Sequence, residues 1–92
     1  MTDATSAETF TPHIGKAIAL RDGPTLTLVA VDRHKSAAPG GAFTLLLRGA
    51  ATPVVSEGMH RLAFEDGASF ELYLIPIHTP SRDHQDYQVV FN

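Results

Sequence analysis

The amino-acid sequence predicts an all-β, mainly antiparallel fold, a small barrel or strongly curled sheet of about six strands with a short N-terminal helical turn. Hydrophobic residues alternate with a period of two from Lys16 onward, and Gly, Pro, Asp or Ser residues bound each alternating stretch. The 92 residues, 43% of them hydrophobic, suffice for one small core. We therefore expect a single β domain over residues 1–92.

A single helical turn is expected near the N-terminus. Residues Thr5–Glu8 have the Ser/Thr-x-x-Glu spacing of a capping box, in which the glutamate side chain returns to the backbone N–H of the capping residue. Pro12 disfavours helical geometry at the residue before it, so the helix should end early. The side chains of Phe10 and Ile14 would then cover one end of the core.

Six stretches have the alternation of strands, joined by tight turns or by longer loops. The predicted strands are Lys16–Leu20, Thr25–His34, Ala42–Gly49, Met59–Phe64, Ser69–His78 and Tyr87–Asn92. Tight hairpin turns are predicted at Arg21–Pro24 and Glu65–Ala68, the second because Asp66-Gly67 supplies the positive φ of a two-residue turn. The longer loops are predicted at Lys35–Gly41, Ala50–Gly58 and Thr79–Asp86.

The alternation sorts each strand into two faces, one of which should line the core. The expected core positions are Leu26, Leu28, Ala30, Phe43, Leu45, Leu47, His60, Leu62, Phe64, Phe70, Leu72, Leu74, Tyr87, Val89 and Phe91. The opposite face carries an apolar stripe across the last hairpin, formed by Tyr73, Ile75, Ile77 and Val90. An exposed stripe of this kind marks contact with another protein. The alternative is burial of the stripe under Lys35–Gly41 or Ala50–Gly58.

Composition and charge exclude several classes of protein. Seven Lys and Arg residues against ten Asp and Glu give a net charge of −3, so there is no basic surface for nucleic acid. Because the chain has no cysteine, it has no disulfide, thiolate nucleophile or Cys-based zinc site. It also has neither a membrane-spanning apolar run nor a signal-peptide pattern, and we expect a cytoplasmic protein without membrane contact.

The histidines are the richest source of reactive side chains. His84 and Asp86, with Asp83 or His78, could form a metal site, but dedicated sites usually bring three or more ligands from rigid elements, whereas these residues lie on a predicted loop. Ser81, Asp83 and His84 contain the residue types of a catalytic triad, but they are too close in sequence for its geometry. We therefore expect no metal ligand, no cofactor and no catalytic residue.

Charged and edge residues extend the candidate interaction surface. Arg48, Arg61 and Glu71 lie on predicted strands, where a cross-strand Arg–Glu–Arg cluster either fixes the register or anchors a protein interface. Tyr87–Asn92 is a candidate edge strand, which could pair with a strand of another chain. The predicted interaction residues are Arg48, Arg61, Glu71, Tyr73, Ile75, Ile77, Tyr87 and Val90.

Four segments of the chain resemble a known family. The segments are Ala42–Gly49, Glu57–Leu62, Leu72–Ile77 and Tyr87–Asn92. They are similar to the motifs Phe-Ser-Leu-Leu-Phe-Arg-Gly, Gln-Gly-x-Tyr-x-Leu, Phe-Leu-Val-Pro-Ile and Tyr-Glu-Ala-Val-Phe-Asn of an uncharacterised family of small bacterial proteins, domain of unknown function 6916. Phe10 and Gly15 match the opening of its pattern. The chain departs from the pattern at three positions, which weakens the case for a shared site but not for the fold: Glu57, His60 and Gln88.

The resemblance implies no established activity, cofactor or catalytic residue, and members of the family resemble accessory proteins found with phage-tail-like collar or fibre proteins. We therefore expect a non-enzymatic protein-interaction or assembly module. It would self-associate or bind a tail-like or fibre protein. The alternative is a small-molecule or metal-binding barrel, or an enzyme, with a pocket containing His60 or His84. That alternative needs a cavity, and small barrels are usually filled by their own side chains.

Overall fold

Six antiparallel strands close into a barrel in the computed structural model, which describes residues 7–21, 23–33 and 42–91. The strands are β1 (Ala17–Leu20), β2 (Thr25–Arg33), β3 (Phe43–Ala50), β4 (Gly58–Ala63), β5 (Ser69–Pro76) and β6 (His84–Phe91). A helical turn, α1 (Ala7–Phe10), and a 3₁₀ turn (Thr11–His13) precede them. The predicted fold class is confirmed.

The strands follow the order β1-β2-β3-β6-β5-β4 around the barrel. β6 pairs along its whole length with β3. It also pairs with β5, where Ile75 lies opposite Gln88 and Pro76 opposite Tyr87. β6 therefore has a neighbour on both sides, and the prediction that Tyr87–Asn92 forms a sheet edge is wrong. Asn92 itself lies outside the described residues.

The inward-facing side chains form one hydrophobic core. Most of the predicted core positions are buried, namely Leu26, Leu28, Phe43, Leu45, Leu47, Leu62, Phe64, Leu72, Leu74, Tyr87 and Val89. Phe70 and Phe91 are partly buried and pack against this cluster. His60, on β4, is half-buried. These core side chains fill the interior of the barrel, as is usual for small barrels.

A β-bulge in β2 changes the face of one predicted core residue. Leu28 and Ala30 are two positions apart, yet they pair with consecutive residues of β3, so Val29 is an extra residue on β2. Beyond the bulge the faces exchange, and Val31 packs against the core. Ala30 points outward and is half-buried. The prediction that Ala30 faces the core is wrong, because an inserted residue reverses a period-two alternation.

The N-terminal turn covers one end of the barrel with a single aromatic side chain. Phe10 is 0% exposed, as predicted. Its ring centroid lies 5.3–5.9 Å from four other rings, those of Phe43, Phe64, Phe70 and Phe91. Ring pairs at this separation and tilt add about 0.5–1.5 kcal/mol each to the effect of area burial. Phe10 thereby fixes the turn to β3, β5 and β6 and to Phe64, which directly follows β4.

The residues around this turn depart from the prediction in two ways. Ile14 is 44% exposed, so the expectation that it covers the core is wrong. The 3₁₀ turn ends with the Ile14 N–H donating to the Thr11 carbonyl, and Gly15, at φ 86°, then redirects the chain into β1. The first two residues of the predicted capping box, Thr5 and Ser6, lie outside the described residues.

The turn between β4 and β5 has the predicted glycine but a different length. Gly67 has φ 94°, as expected for the Asp-Gly pair. The Phe64 N–H donates to the Ala68 carbonyl at 2.8 Å, so residues 65–67 form a three-residue loop and not the predicted two-residue turn. The Asp66 carboxylate accepts a hydrogen bond from the Ala68 N–H at 2.9 Å, which stabilises the loop.

The other connections also differ slightly from the prediction. β1 and β2 form the expected hairpin, in which the Gly23 N–H donates to the Leu20 carbonyl at 3.2 Å, while Asp22 lies outside the described residues. β6 begins at His84, earlier than predicted. Residues 84–86 were predicted to be loop, but they continue the ladder with β3.

Candidate protein-interaction surface

Three exposed hydrophobic side chains form a row across the outer face of β4, β5 and β6. Met59 and Tyr73 are register partners, and they are 59% and 47% exposed. Val90 is 44% exposed and lies two residues beyond Gln88, whose partner on β5 is Ile75. The paired part of β5 and β6 ends at Ile75 and Gln88, and an antiparallel register extended two residues past it would place Val90 level with Tyr73. We call Met59, Tyr73 and Val90 the apolar row.

Ile75 and Ile77, which the sequence placed in the same stripe, are half-buried beside the row. Ile75 lies opposite Gln88 at the short ladder between β5 and β6. Ile77 follows β5, and its carbonyl accepts hydrogen bonds from Thr79 Oγ1 at 2.9 Å and Gln85 Nε2 at 2.8 Å. These contacts hold the start of the 77–83 loop against β6. The two isoleucines therefore lie beside the row but are less exposed than its members.

The loop between β3 and β4 contacts the apolar row without burying it. The Tyr73 hydroxyl donates to Glu57 Oε2 at 2.9 Å, and this hydrogen bond to a carboxylate raises the pKa of Tyr73. Tyr73 nevertheless keeps nearly half of its surface exposed. The other predicted cover, Lys35–Gly41, lies outside the described residues. Within the described part of the chain, Tyr73 and Val90 remain open to solvent.

Arg61 lies on β4, two residues after Met59, and is the register partner of Glu71 on β5. Its Nη2 is 3.6 Å from Glu71 Oε2, and its Nη1 donates to Ser69 Oγ at 3.3 Å. Both partners are exposed, with side-chain accessibilities of 44% and 61% for Arg61 and Glu71. Exposed ion pairs of this kind contribute only about 0–1 kcal/mol. A guanidinium group has five N–H donors, so Arg61 has donors left for a further acceptor.

Arg48 pairs with Asp86, so the described structure does not contain the predicted Arg–Glu–Arg cluster. Arg48 and Asp86 are register partners on β3 and β6. The arginine Nε and Nη2 donate to the two carboxylate oxygens at 2.8 and 3.3 Å. This fork of hydrogen bonds lowers the pKa of Asp86 and raises the pKa of Arg48. The pairs Arg48–Asp86 and Arg61–Glu71 therefore support two different strand pairings, β3–β6 and β4–β5.

Tyr87 belongs to the core and is not available to a partner. It is 1% exposed, and its hydroxyl accepts a hydrogen bond from the Val55 N–H at 2.8 Å. The sequence supported two interpretations of Tyr87. Alternation placed it on the core face, whereas its position on a predicted edge strand placed it in the interaction surface. The buried position removes Tyr87 from the candidate surface and explains how the loop before β4 is anchored.

The polar residues that suggested metal or triad chemistry make local contacts. His84 Nε2 lies 3.6 Å from Asp86 Oδ1, beside the bond to Arg48. The Asp83 N–H donates to Ser81 Oγ at 3.0 Å, which is a short turn within the loop. Among the described residues, no group of three or more His, Asp or Glu side chains is arranged to hold a metal ion.

A groove beside the N-terminal turn is a feature that the sequence analysis missed. Its volume is about 420 Å³, and it is lined by Thr9, Pro12, His13, Lys16, Glu65 and Asp66. His13 Nε2 lies 3.5 Å from Asp66 Oδ2, and the histidine ring packs edge-on against Phe64. The predicted pocket histidines, His60 and His84, are not in its lining. The residues that line the groove come from the turn before β1 and the turn after β4. No spacing pattern in the sequence connects these two turns, so the groove could be found only from the fold.

Met59 and Glu57 are the surface residues that the sequence analysis overlooked. Met59 is the most exposed member of the apolar row. The alternation of β4 contained the signal, because Met59 and Arg61 lie on the face opposite the buried Leu62. Glu57 comes two residues before Met59, and its bond to Tyr73 locates it at the outer face. The same period-two argument that selected Tyr73 would have selected Met59, whereas Glu57 lies before β4 and its place depends on the fold.

Comparison with known proteins identifies the family of the chain. No curated protein and no solved structure matches it significantly. In the part of the chain that the structure describes, no helix has the length and hydropathy needed to cross a membrane. One family model, Domain of unknown function (DUF6916), matches residues 5–91. Because the match extends over nearly the whole chain, the protein belongs to domain of unknown function 6916.

Proposed function

We propose that the protein is a non-enzymatic protein-interaction module that self-associates through the apolar row. One observation carries the proposal. Of the five large hydrophobic residues that are exposed in the described chain, three lie on the neighbouring strands β4, β5 and β6, and two of these, Met59 and Tyr73, are register partners. Scattered exposed hydrophobic residues are ordinary, whereas a contiguous group rimmed by polar residues is typical of a protein contact.

The side chains of the row are suited to a small, specific contact. Tyrosine is enriched among the residues that dominate binding energy, and methionine adapts to irregular partner surfaces. The total accessible surface is 5616 Å², and a typical interface takes about 10% of a small protein's surface, or about 560 Å² per copy. An interface of that size is at the lower end for specific complexes. We therefore expect a reversible, concentration-dependent dimer.

The test is sedimentation equilibrium of the full chain over a wide concentration range, with Tyr73→Glu as the interface variant. A glutamate at this position would bury a charge at the contact, and the dissociation constant should rise at least about tenfold. Ile14→Glu is the matched control, because Ile14 is 44% exposed but lies before β1 and is not part of the row. Circular dichroism and a thermal melt establish that both variants fold.

Three results would refute the proposal. The first is a wild-type protein that stays monomeric at every concentration. The second is a folded Tyr73→Glu variant that associates as tightly as the wild type. The third is equal weakening by the control variant Ile14→Glu, because association would then not depend on this face.

We extend the proposal to a cellular role. Self-associating modules of this size suit repetitive assemblies, in which one small contact is repeated many times, and family resemblance favours an accessory of a phage-tail-like or fibre assembly. The proposed location is the cytoplasm, where such assemblies are built. Purified tail-like particles would carry this protein at a fixed ratio to their main subunit if the assignment is right. Its absence from such particles would remove this cellular role while leaving the self-association intact.

A further inference from the structure

We propose that Glu57 is a positioning residue of the apolar row, which holds Tyr73 in the orientation in which it meets the second copy. This inference rests on the proposed self-association and adds a residue that sets its strength through Tyr73. The Tyr73 hydroxyl donates to Glu57 Oε2 at 2.9 Å, while Tyr73 is still 47% exposed. The hydrogen bond thus restrains a side chain that remains open to a partner.

The position of Glu57 follows from the contacts of its own segment, because it lies before β4, where strand alternation does not place it. The carbonyl of Ser56 accepts a hydrogen bond from His60 Nε2 on β4 at 2.8 Å. Val55 packs against the hydrophobic core, and its N–H donates to the Tyr87 hydroxyl. The segment therefore has several attachments to the barrel and keeps the others when one of them is removed. The backbone that carries the Glu57 carboxylate is accordingly held in place.

A hydrogen bond at the hydroxyl restrains the whole tyrosine side chain. Two side-chain torsions determine where the ring lies, and the hydroxyl is at the end of the ring farthest from the backbone. A hydrogen bond to a carboxylate is about twice as strong as one between neutral groups. A side chain that is already ordered before binding loses less conformational entropy at the contact, which favours association.

The experiment is a double-mutant cycle of Glu57→Ala and Tyr73→Phe, measured by sedimentation equilibrium of the full chain. Each substitution removes one partner of the hydrogen bond, and Tyr73→Phe keeps the aromatic ring. Ordering one such side chain corresponds to a change of about two- to tenfold in the dissociation constant. We expect each variant to associate more weakly than the wild type by that factor. The double variant should lie within about twofold of either single variant, because both substitutions remove the same contact.

A conservative variant and a charge control separate positioning from a general effect of charge. Glu57→Gln loses the charge but keeps an oxygen acceptor for the Tyr73 hydroxyl, and it should associate more tightly than Glu57→Ala. Glu65→Ala removes one negative charge from the exposed turn between β4 and β5, and it should change the dissociation constant by less than about twofold. Circular dichroism would establish that every variant is folded.

Ionisation of Tyr73 gives a second readout, which does not depend on association. The hydrogen bond to Glu57 is the main cause of the raised pKa of Tyr73, so Glu57→Ala should lower that pKa. Ultraviolet absorption follows the ionisation, and Tyr73→Phe identifies the Tyr73 signal because the chain has two tyrosines. An unchanged pKa in Glu57→Ala would overturn the proposal, since the contact would then not exist in solution.

The association measurements can overturn the proposal in two further ways. The first is a Glu57→Ala variant that associates as tightly as the wild type. The second is equal weakening by Glu57→Ala in the wild-type and Tyr73→Phe backgrounds, because the carboxylate would then act on the partner directly. Either result leaves self-association standing. A wild type that is monomeric throughout would instead overturn the proposed function and this inference with it.

Discussion

Replacing Gly49 with alanine should destabilise the barrel, because this residue faces inward at a tightly packed point of β3. The alternation of the strand puts it on the same side as the buried Leu47. A Cβ atom built on Gly49 collides with Leu26 Cδ2 on β2 and lies 3.8 Å from Cε1 of Tyr87. Gly49 is not among the glycines with positive φ, so the expected strain comes from packing and not from the backbone.

The magnitude follows from two opposing effects. Leu26 is 1% exposed, so its side chain cannot move outward to relieve the collision. Adding a methyl group to a filled core typically costs about 1–3 kcal/mol, and a direct collision corresponds to the upper part of that range. Alanine restricts the unfolded chain more than glycine does, which offsets about 0.5–1 kcal/mol. We expect a net loss of about 1–2 kcal/mol, equivalent to a Tm lower by about 5–10 °C for a domain of this size.

The assay is urea unfolding followed by circular dichroism, repeated for Gly49→Ala in a Leu26→Val background. Valine lacks the Cδ2 atom that meets the new methyl group, so the loss caused by Gly49→Ala should disappear in that background. The double-mutant cycle then isolates the contact between the two residues. The reasoning is refuted if Gly49→Ala is as stable as the wild type, or if its loss is the same in both backgrounds.

Two further predictions concern β6. Tyr87→Phe keeps the ring in the core but removes the acceptor of the Val55 N–H. We expect the free energy of unfolding, measured in urea, to fall by about 1–2 kcal/mol while self-association stays unchanged. Unchanged stability would contradict this prediction. Asp86 has a lowered pKa in the folded state, so its stabilising effect is present above its unfolded pKa of about 3.9 and is lost as the pH falls through the folded pKa. The stability of the wild type should therefore fall more steeply below about pH 4 than that of Asp86→Asn, and parallel pH profiles would contradict this prediction.

The strands could be predicted from the sequence because their signal is local. Alternation and turn residues located every strand to within a few residues, and burial of Leu45 and Leu47 on one face followed directly from the period of two. The bulge at Val29 could not be predicted in the same way. A bulge inserts one residue in a ladder between two strands, so it depends on the partner strand as well as on the residue itself.

The order of the strands around the barrel explains why the predicted charge cluster was wrong. In a simple meander β3 would lie beside β4, and Arg48 and Arg61 would then be close enough to share Glu71. In the barrel β6 lies beside β3, and β5 separates β6 from β4. Arg48 accordingly pairs with Asp86, which is 38 residues away. Alternation predicts which face a side chain occupies, but long-range strand order decides which side chains meet across that face.

The pairing of Met59 with Tyr73 shows that the pattern of buried residues also determines the length of the turn between β4 and β5. With a two-residue turn at Asp66-Gly67, Glu65 would pair with Ala68, and every buried residue of β4 would lie opposite an exposed residue of β5. The observed three-residue loop pairs the buried Leu62 with Phe70 and the exposed Met59 with Tyr73. A one-residue change of register moves side chains to the opposite face, so burial of the core excludes the shorter turn. The same constraint that fills the barrel therefore brings Met59 and Tyr73 together on its surface.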